Sequence, residues 1–84
     1  MKKIVRYVIR MRNGSYMRQV LDDTKVGVVL VKTVDHPIDS DLYKERKTPE
    51  RLISDLINGA RTFLPVVWDK DNPPEEVEEL KINL

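Results

Sequence analysis

The chain has 84 residues, 40% hydrophobic and 35% charged, which is enough for one globular domain and leaves no room for a second core. It has no cysteine, which excludes disulfide stapling and a cysteine-based zinc site and fits a reducing cytoplasm. The formal net charge of +1 hides a segregation: residues 1–34 carry eight basic against two acidic side chains, and residues 35–84 carry seven basic against twelve acidic ones. Such a division points to an electrostatic partner, or to the two ends of the molecule meeting each other.

The start, Met1-Lys2-Lys3-Ile4-Val5, has the charge of a signal peptide, but Arg6, Arg10 and Arg12 interrupt the apolar run such a segment needs. The apolar stretch at 28–31 is far too short to span a bilayer, so the chain reads as soluble, unexported and cytoplasmic, without a membrane. Residues 3–12 predict a strand with Val5, Tyr7, Ile9 and Met11 on one face, and Arg6, Arg10 and Arg12 on the other beside Ile4 and Val8. Asn13-Gly14 follows, a strong hairpin signal suited to a type I′ turn, and the return strand covers 15–21. A two-residue turn places Met11 opposite Tyr16 and Tyr7 opposite Val20. A three-residue loop with a bulge pairs Ile9 with Met17 and Val5 with Leu21. The first register leaves Arg18 on the apolar face and the second leaves Gln19 there; the sequence keeps both open.

Asp22-Asp23-Thr24 predicts a turn, and the valine-rich run 26–34 a third, central strand. Proline and aspartates make 35–41 irregular, with Leu42-Tyr43 anchoring this loop back on the core. Thr48-Pro49-Glu50 is a helix start, with Thr48 as N-cap and Pro49 in the first helical position. Behind it Leu52, Ile53, Leu56, Ile57, Ala60 and Phe63 or Leu64 recur at helical spacing over about 49–61, with Arg51, Asp55, Asn58 and Arg61 on the wet side. Gly59 can end this helix early. Residues 65–69 read as a short fourth strand, and Trp68 either closes the core beneath the helix, the better reading with so few other aromatics, or projects as a binding anchor.

From residue 70 the chain is acidic. Val77, Leu80 and Leu84 stand at i, i+3 and i+7, the spacing of a last amphipathic helical turn. So short a segment does not hold a helix unaided, and it docks on the core, docks on a partner, or frays. The expectation is therefore an α+β domain over 1–69: a three- to four-stranded, mainly antiparallel sheet with an N-terminal hairpin and one helix packed on one face, followed by an acidic tail over 70–84. The predicted core is Val5, Tyr7, Ile9, Val28, Leu30, Leu52, Ile53, Leu56, Ile57, Phe63 and Val67.

Catalysis finds no foothold in the pattern. His36 is the lone histidine, and Ser15, Ser40 and Ser54 stand in no nucleophile motif. Gly14, Gly27 and Gly59 are too scattered for a phosphate-cradling loop. Asp35, His36, Asp39 and Asp41 crowd together, but Pro37 lies inside the run and the glycine of a calcium loop is missing, so a solvated turn is the better reading. The expectation is a protein that is not an enzyme and takes neither metal nor cofactor.

Binding fares better. Glu75, Glu76, Glu78 and Glu79, interleaved with Val77, Leu80 and Leu84, suggest a docking tail rather than a merely solubilising one. If the tail contacts a partner, deleting 73–84 abolishes binding and leaves the fold intact. The alternative is a small nucleic-acid-binding module that tracks a phosphate backbone with Arg6, Arg10, Arg12 and Arg18 beside Tyr7 or Tyr16. A net charge near zero speaks against that alternative. Self-association, basic end to acidic end, is a third possibility.

The run Tyr7-Val8-Ile9-Arg10-Met11-Arg12-Asn13-Gly14-Ser15-Tyr16-Met17 resembles the start of short accessory proteins carried by phages of Gram-positive bacteria. In those, a hairpin of this type precedes another strand, an amphipathic helix and a final strand. The resemblance covers about the first 20 residues closely and the rest in pattern only. It implies a phage protein acting in the host cytoplasm as a modulator or inhibitor of one host or phage protein, with no shared catalytic residues to carry over.

Overall fold

In the computed structural model, which describes residues 2–60 and 64–83, the element order is β1 (Lys3–Met11), β2 (Tyr16–Leu21), β3 (Val29–Val34), a 3-10 turn (Pro37–Asp39), α1 (Lys47–Asn58), β4 (Val66–Val67) and β5 (Pro74–Asn83). The strands form a single sheet in the order β4-β3-β2-β1-β5. The α+β class and the one helix stand as expected. The sheet has five strands rather than three or four, and it is mixed, because β4 runs parallel to β3.

The hairpin takes the three-residue loop. In the hairpin loop only Gly14 has positive φ, at 88°, and no described non-glycine residue does, so a type I′ turn with both central residues left-handed is not formed. The Gly14 amide donates to the Met11 carbonyl at 3.0 Å and the Met11 amide to the Ser15 carbonyl at 2.8 Å, which closes a type I turn with a glycine bulge. Arg10 therefore faces Tyr16, the register in which Ile9 belongs beside Met17.

That register puts Gln19 on the apolar face, and the structure uses it. Below Arg10↔Tyr16 the two strands part, and residues 40–43 enter the gap as a strap. Tyr7 and Tyr43 exchange backbone hydrogen bonds of 2.8 and 2.9 Å, and the Asp41 amide donates to the Met17 carbonyl at 3.1 Å. The Gln19 amide donates to the Asp41 carboxylate at 2.8 Å, and its side chain donates to the Tyr43 hydroxyl at 3.4 Å. A polar residue on a buried face costs little when every group finds a partner. Tyr43 anchors this strap against the core, and burial, with Asp41 close by, pushes its phenol up to about 12.

The helix begins at Lys47, two residues before the expected start, and neither Thr48 nor any other side chain caps it. Pro49 falls in its first turn, where a missing N–H breaks no helical bond. Gly59, with φ 68°, ends the helix in a Schellman arrangement: its amide donates to Leu56 and that of Ala60 to Asp55. The helix is thus shorter than the expected 49–61, and Arg61 and Phe63 lie outside the described residues.

Helix α1 packs over β1 and β5 and covers the main core cluster, while Val8, on the sheet's other face, is also 1% exposed. Ile9, Met11, Met17 and Leu56 form the core cluster, with Val31, Tyr43, Leu52, Ile53, Val66 and Trp68 packed against it. Both methionines were missing from the predicted core. Val5, Ile57 and Val67 were included but are 37%, 51% and 55% exposed, and Val28 and Leu30 are only partly buried. Ile57 turns away from the helix's seat. Leu30 and Val67 are paired neighbours that point to the opposite face of the sheet from the core residues Val31 and Val66.

The acidic segment is no helical turn. Residues 74–83 form β5, antiparallel to β1 from Lys3↔Asn83 to Arg10↔Glu76, with a register shift before Met11↔Pro74. Pro73 and Pro74 are buried at its start, where a proline breaks no ladder bond. Of the fates open to the tail, docking on the chain's own core is the one observed.

Two outcomes follow. A chain ending at residue 72 loses the outer partner of β1 and half of the helix's seat, a loss comparable with the ~5 kcal/mol that holds a domain of this size. It should therefore show no cooperative thermal transition in circular dichroism, where an intact fold had been expected from the sequence. Asp41→Ala leaves the Gln19 amide unpaired and should cost roughly 1–2 kcal/mol in urea unfolding, whereas Asp41→Asn keeps the acceptor and should cost far less. Burial raises the Asp41 carboxyl above its ordinary 3.8, so the folded state penalises the charged form. Wild type should accordingly gain on Asp41→Asn as pH falls from neutrality through the raised value toward 3.8.

Candidate binding face

The strand pairings divide the side chains between two faces. The face away from α1 carries Arg6, Val8 and Arg10 from β1, Tyr16, Arg18 and Val20 from β2, and Leu30, Lys32 and Val34 from β3. Val67 extends it on β4, and Glu76, Glu78, Leu80 and Ile82 on β5. Here the two charged segments of the sequence meet.

Arg10 sits directly opposite Glu76 and next to Glu78. Its guanidinium lies 2.7 Å from a Glu76 carboxylate oxygen and 2.8 Å from one of Glu78. The Tyr16 hydroxyl donates to the other Glu78 oxygen at 3.3 Å, so one network joins β2, β1 and β5. The Tyr16 phenol is raised by burial first and by the Glu78 charge second. Arg12, at the hairpin loop, pairs with Glu75 at 3.3 Å.

The tail residues singled out from sequence therefore face inward more than outward. Glu75, Glu76 and Glu78 are occupied by arginines, Val77 is partly buried opposite Ile9, and Leu80 is partly buried opposite Arg6. Glu79 is exposed beside Tyr7, and Leu84 lies outside the described residues. The basic set divides in the same way. Arg10 and Arg12 are engaged, and Arg6 donates to the neighbouring Val5 carbonyl at 2.9 Å.

Arg18 is different. It stands directly opposite Lys32 on β3, both are exposed, and neither forms an ion pair among the described residues. Two like charges in a cross-strand pair are unfavourable, by up to about 1 kcal/mol. Asp41 feels Arg18 at longer range, as the least of the influences on its carboxyl, while its own oxygen is engaged by the Gln19 amide.

Below this pair runs an apolar row, Val67 beside Leu30 beside Val20, across three strands. Val20, Leu30 and Lys32 line an open depression of about 480 Å³, closed at its far end by Leu21 and the turn Asp22-Asp23-Thr24. Asp22 accepts hydrogen bonds from the Thr24 hydroxyl at 2.7 Å and the Thr24 amide at 2.8 Å, and these hold its carboxyl below the usual range. Leu21 and Val26 add 67% and 105% exposed apolar side chains at this end of the sheet.

Sequence reasoning singled out Arg18 and missed its companions. Lys32 interrupts a run of valines and is the one visible hint. The row Val67–Leu30–Val20 was hidden because Leu30 and Val67 read as core. Asp35, His36 and Asp39 are exposed around the 3-10 turn, and no group of three potential metal ligands forms among the described residues. No helix among the described residues is long and apolar enough to cross a membrane. No protein-family model, curated protein or solved structure matches this chain.

Replacing Arg10 with methionine should destabilise the fold modestly, because the two half-exposed pairs vanish and Glu76 and Glu78 are left side by side on β5 without a counter-charge. The difference from wild type should shrink in 1 M sodium chloride, measured by chemical denaturation at both salt concentrations.

Proposed function

We propose that this protein is a non-catalytic interaction module that docks on another protein through the sheet face opposite its helix. The observation carrying this reading is the row of exposed Val67 and half-buried Leu30 and Val20 set beside the unpaired cations Arg18 and Lys32, an apolar strip with a charged border. The depression beside it favours binding over proton chemistry: its Asp22 carboxylate serves the turn and is held ionised, not poised near neutrality. The resemblance of residues 7–17 to phage accessory proteins extends the reading to a phage-encoded modulator of one host protein.

The nucleic-acid reading loses two of its four arginines to glutamates. The same face carries Glu76 and Glu78, and its aromatic ring, Tyr16, is tied to Glu78. Backbone-tracking binders keep such a face basic throughout.

The test is affinity capture from a Gram-positive host lysate with nuclease present, using wild type and the Val67→Asp variant, whose site is already exposed and at the sheet edge. One stoichiometric protein held by wild type and lost from the folded variant is the expected result. Equal capture by both would move the contact elsewhere, and material that disappears with nuclease alone would replace the protein reading by nucleic acid.

A further inference from the structure

Resting on that docking face, we infer that its partner is an acidic protein segment that sets carboxylates against Arg18 and Lys32 and an apolar side chain over Val20 and Leu30. The argument is charge complementarity. Most acids near to hand are already committed, Glu76 and Glu78 to Arg10, Glu75 to Arg12, Asp22 to Thr24 and Asp41 to the Gln19 amide, and Asp23 forms no ion pair with either cation. Arg18 and Lys32 remain as two cations side by side, repelling each other across β2 and β3; neither forms an ion pair among the described residues, and Arg18 feels only the longer-range pull of Asp41. A carboxylate arriving between them gains from both and relieves their repulsion.

The face also sets a direction. Along β2 and β3 the cations stand at one end of the depression, Val20 and Leu30 follow, and Asp22 and Asp23 line the other end. An acidic segment is attracted at the first end and repelled at the second, so its carboxylates have one place to sit. A phosphate backbone has no such preference for an apolar neighbour, and Val20 and Leu30 would gain nothing from it. A second copy of this chain would have to offer free acids, yet most of its β5 glutamates are already paired within their own sheet.

The experiment is an amide-resolved NMR titration of the isotope-labelled chain with three probes. These are a synthetic peptide alternating glutamate and leucine, the same peptide with lysine for glutamate, and a thymidine oligonucleotide. The expected result is saturable shifts at Arg18, Val20, Leu30 and Lys32 with the acidic peptide alone, fading as salt rises. In the Lys32→Glu variant the opposed cations become an opposed ion pair, which keeps the fold safe, and acidic-peptide affinity should fall about tenfold. No shift with about 1 mM acidic peptide, stronger shifts with the lysine peptide or the oligonucleotide, or shifts that appear on raising the concentration of this protein alone would each overturn the acidic partner. If the lysate protein is lost with Val67→Asp but kept with Lys32→Glu, the docking face stands and only its partner's chemistry fails.

Discussion

The antiparallel pairing of β5 with β1 is the constraint on which the remaining structure depends. It joins residue 3 to residue 83, so the sheet closes only when the two ends of the chain meet. The loop-closure entropy of so distant a contact has to be offset by what it buries. In return β1 gains a partner along nearly its whole length, the helix gains a seat spanning β1 and β5, and the glutamates of the tail fall beside the arginines of the hairpin. Part of the charge segregation visible along the chain is neutralised by this contact, where Arg10 and Arg12 meet Glu75, Glu76 and Glu78.

The strap at residues 40–43 answers a second problem. A hairpin whose strands part leaves unpaired backbone between them, and buried backbone needs partners. Tyr43 and Asp41 supply them, to Tyr7 on one side and to Met17 and Gln19 on the other. The result is two ribbons, β1 with β5 and β2 with β3, held in one sheet by the hairpin tip and the strap. Gln19 sits where the strap enters, and its polarity fits the task.

What function the surface can perform then depends on which charges are left over. Arginine beside glutamate in a half-exposed network holds the sheet together and has little to offer a partner. This internal pairing passes by Arg6, Arg18 and Lys32 on that face; of these, Arg18 and Lys32 border the apolar row Val67–Leu30–Val20.

The class of fold, the hairpin, the helix and its glycine end could all be read along the chain, because turn chemistry and side-chain period act over a few residues. The bulged register was one of two that local pattern allowed. It was chosen in space, by the strap that receives Gln19. The tail misled for the same reason: Val77, Leu80 and Leu84 suit a helical stripe, but the free edge of β1 rewards an extended partner, and Leu80 and Ile82 are then two apart on one strand face. Burial was misjudged at Leu30 and Val67 because a valine-rich strand looks alike on both faces until the helix covers one of them. Nothing local could reveal that Arg10 would be neutralised and Arg18 left opposite Lys32, since a charge's partner is set by the pairing of strands far apart in the chain.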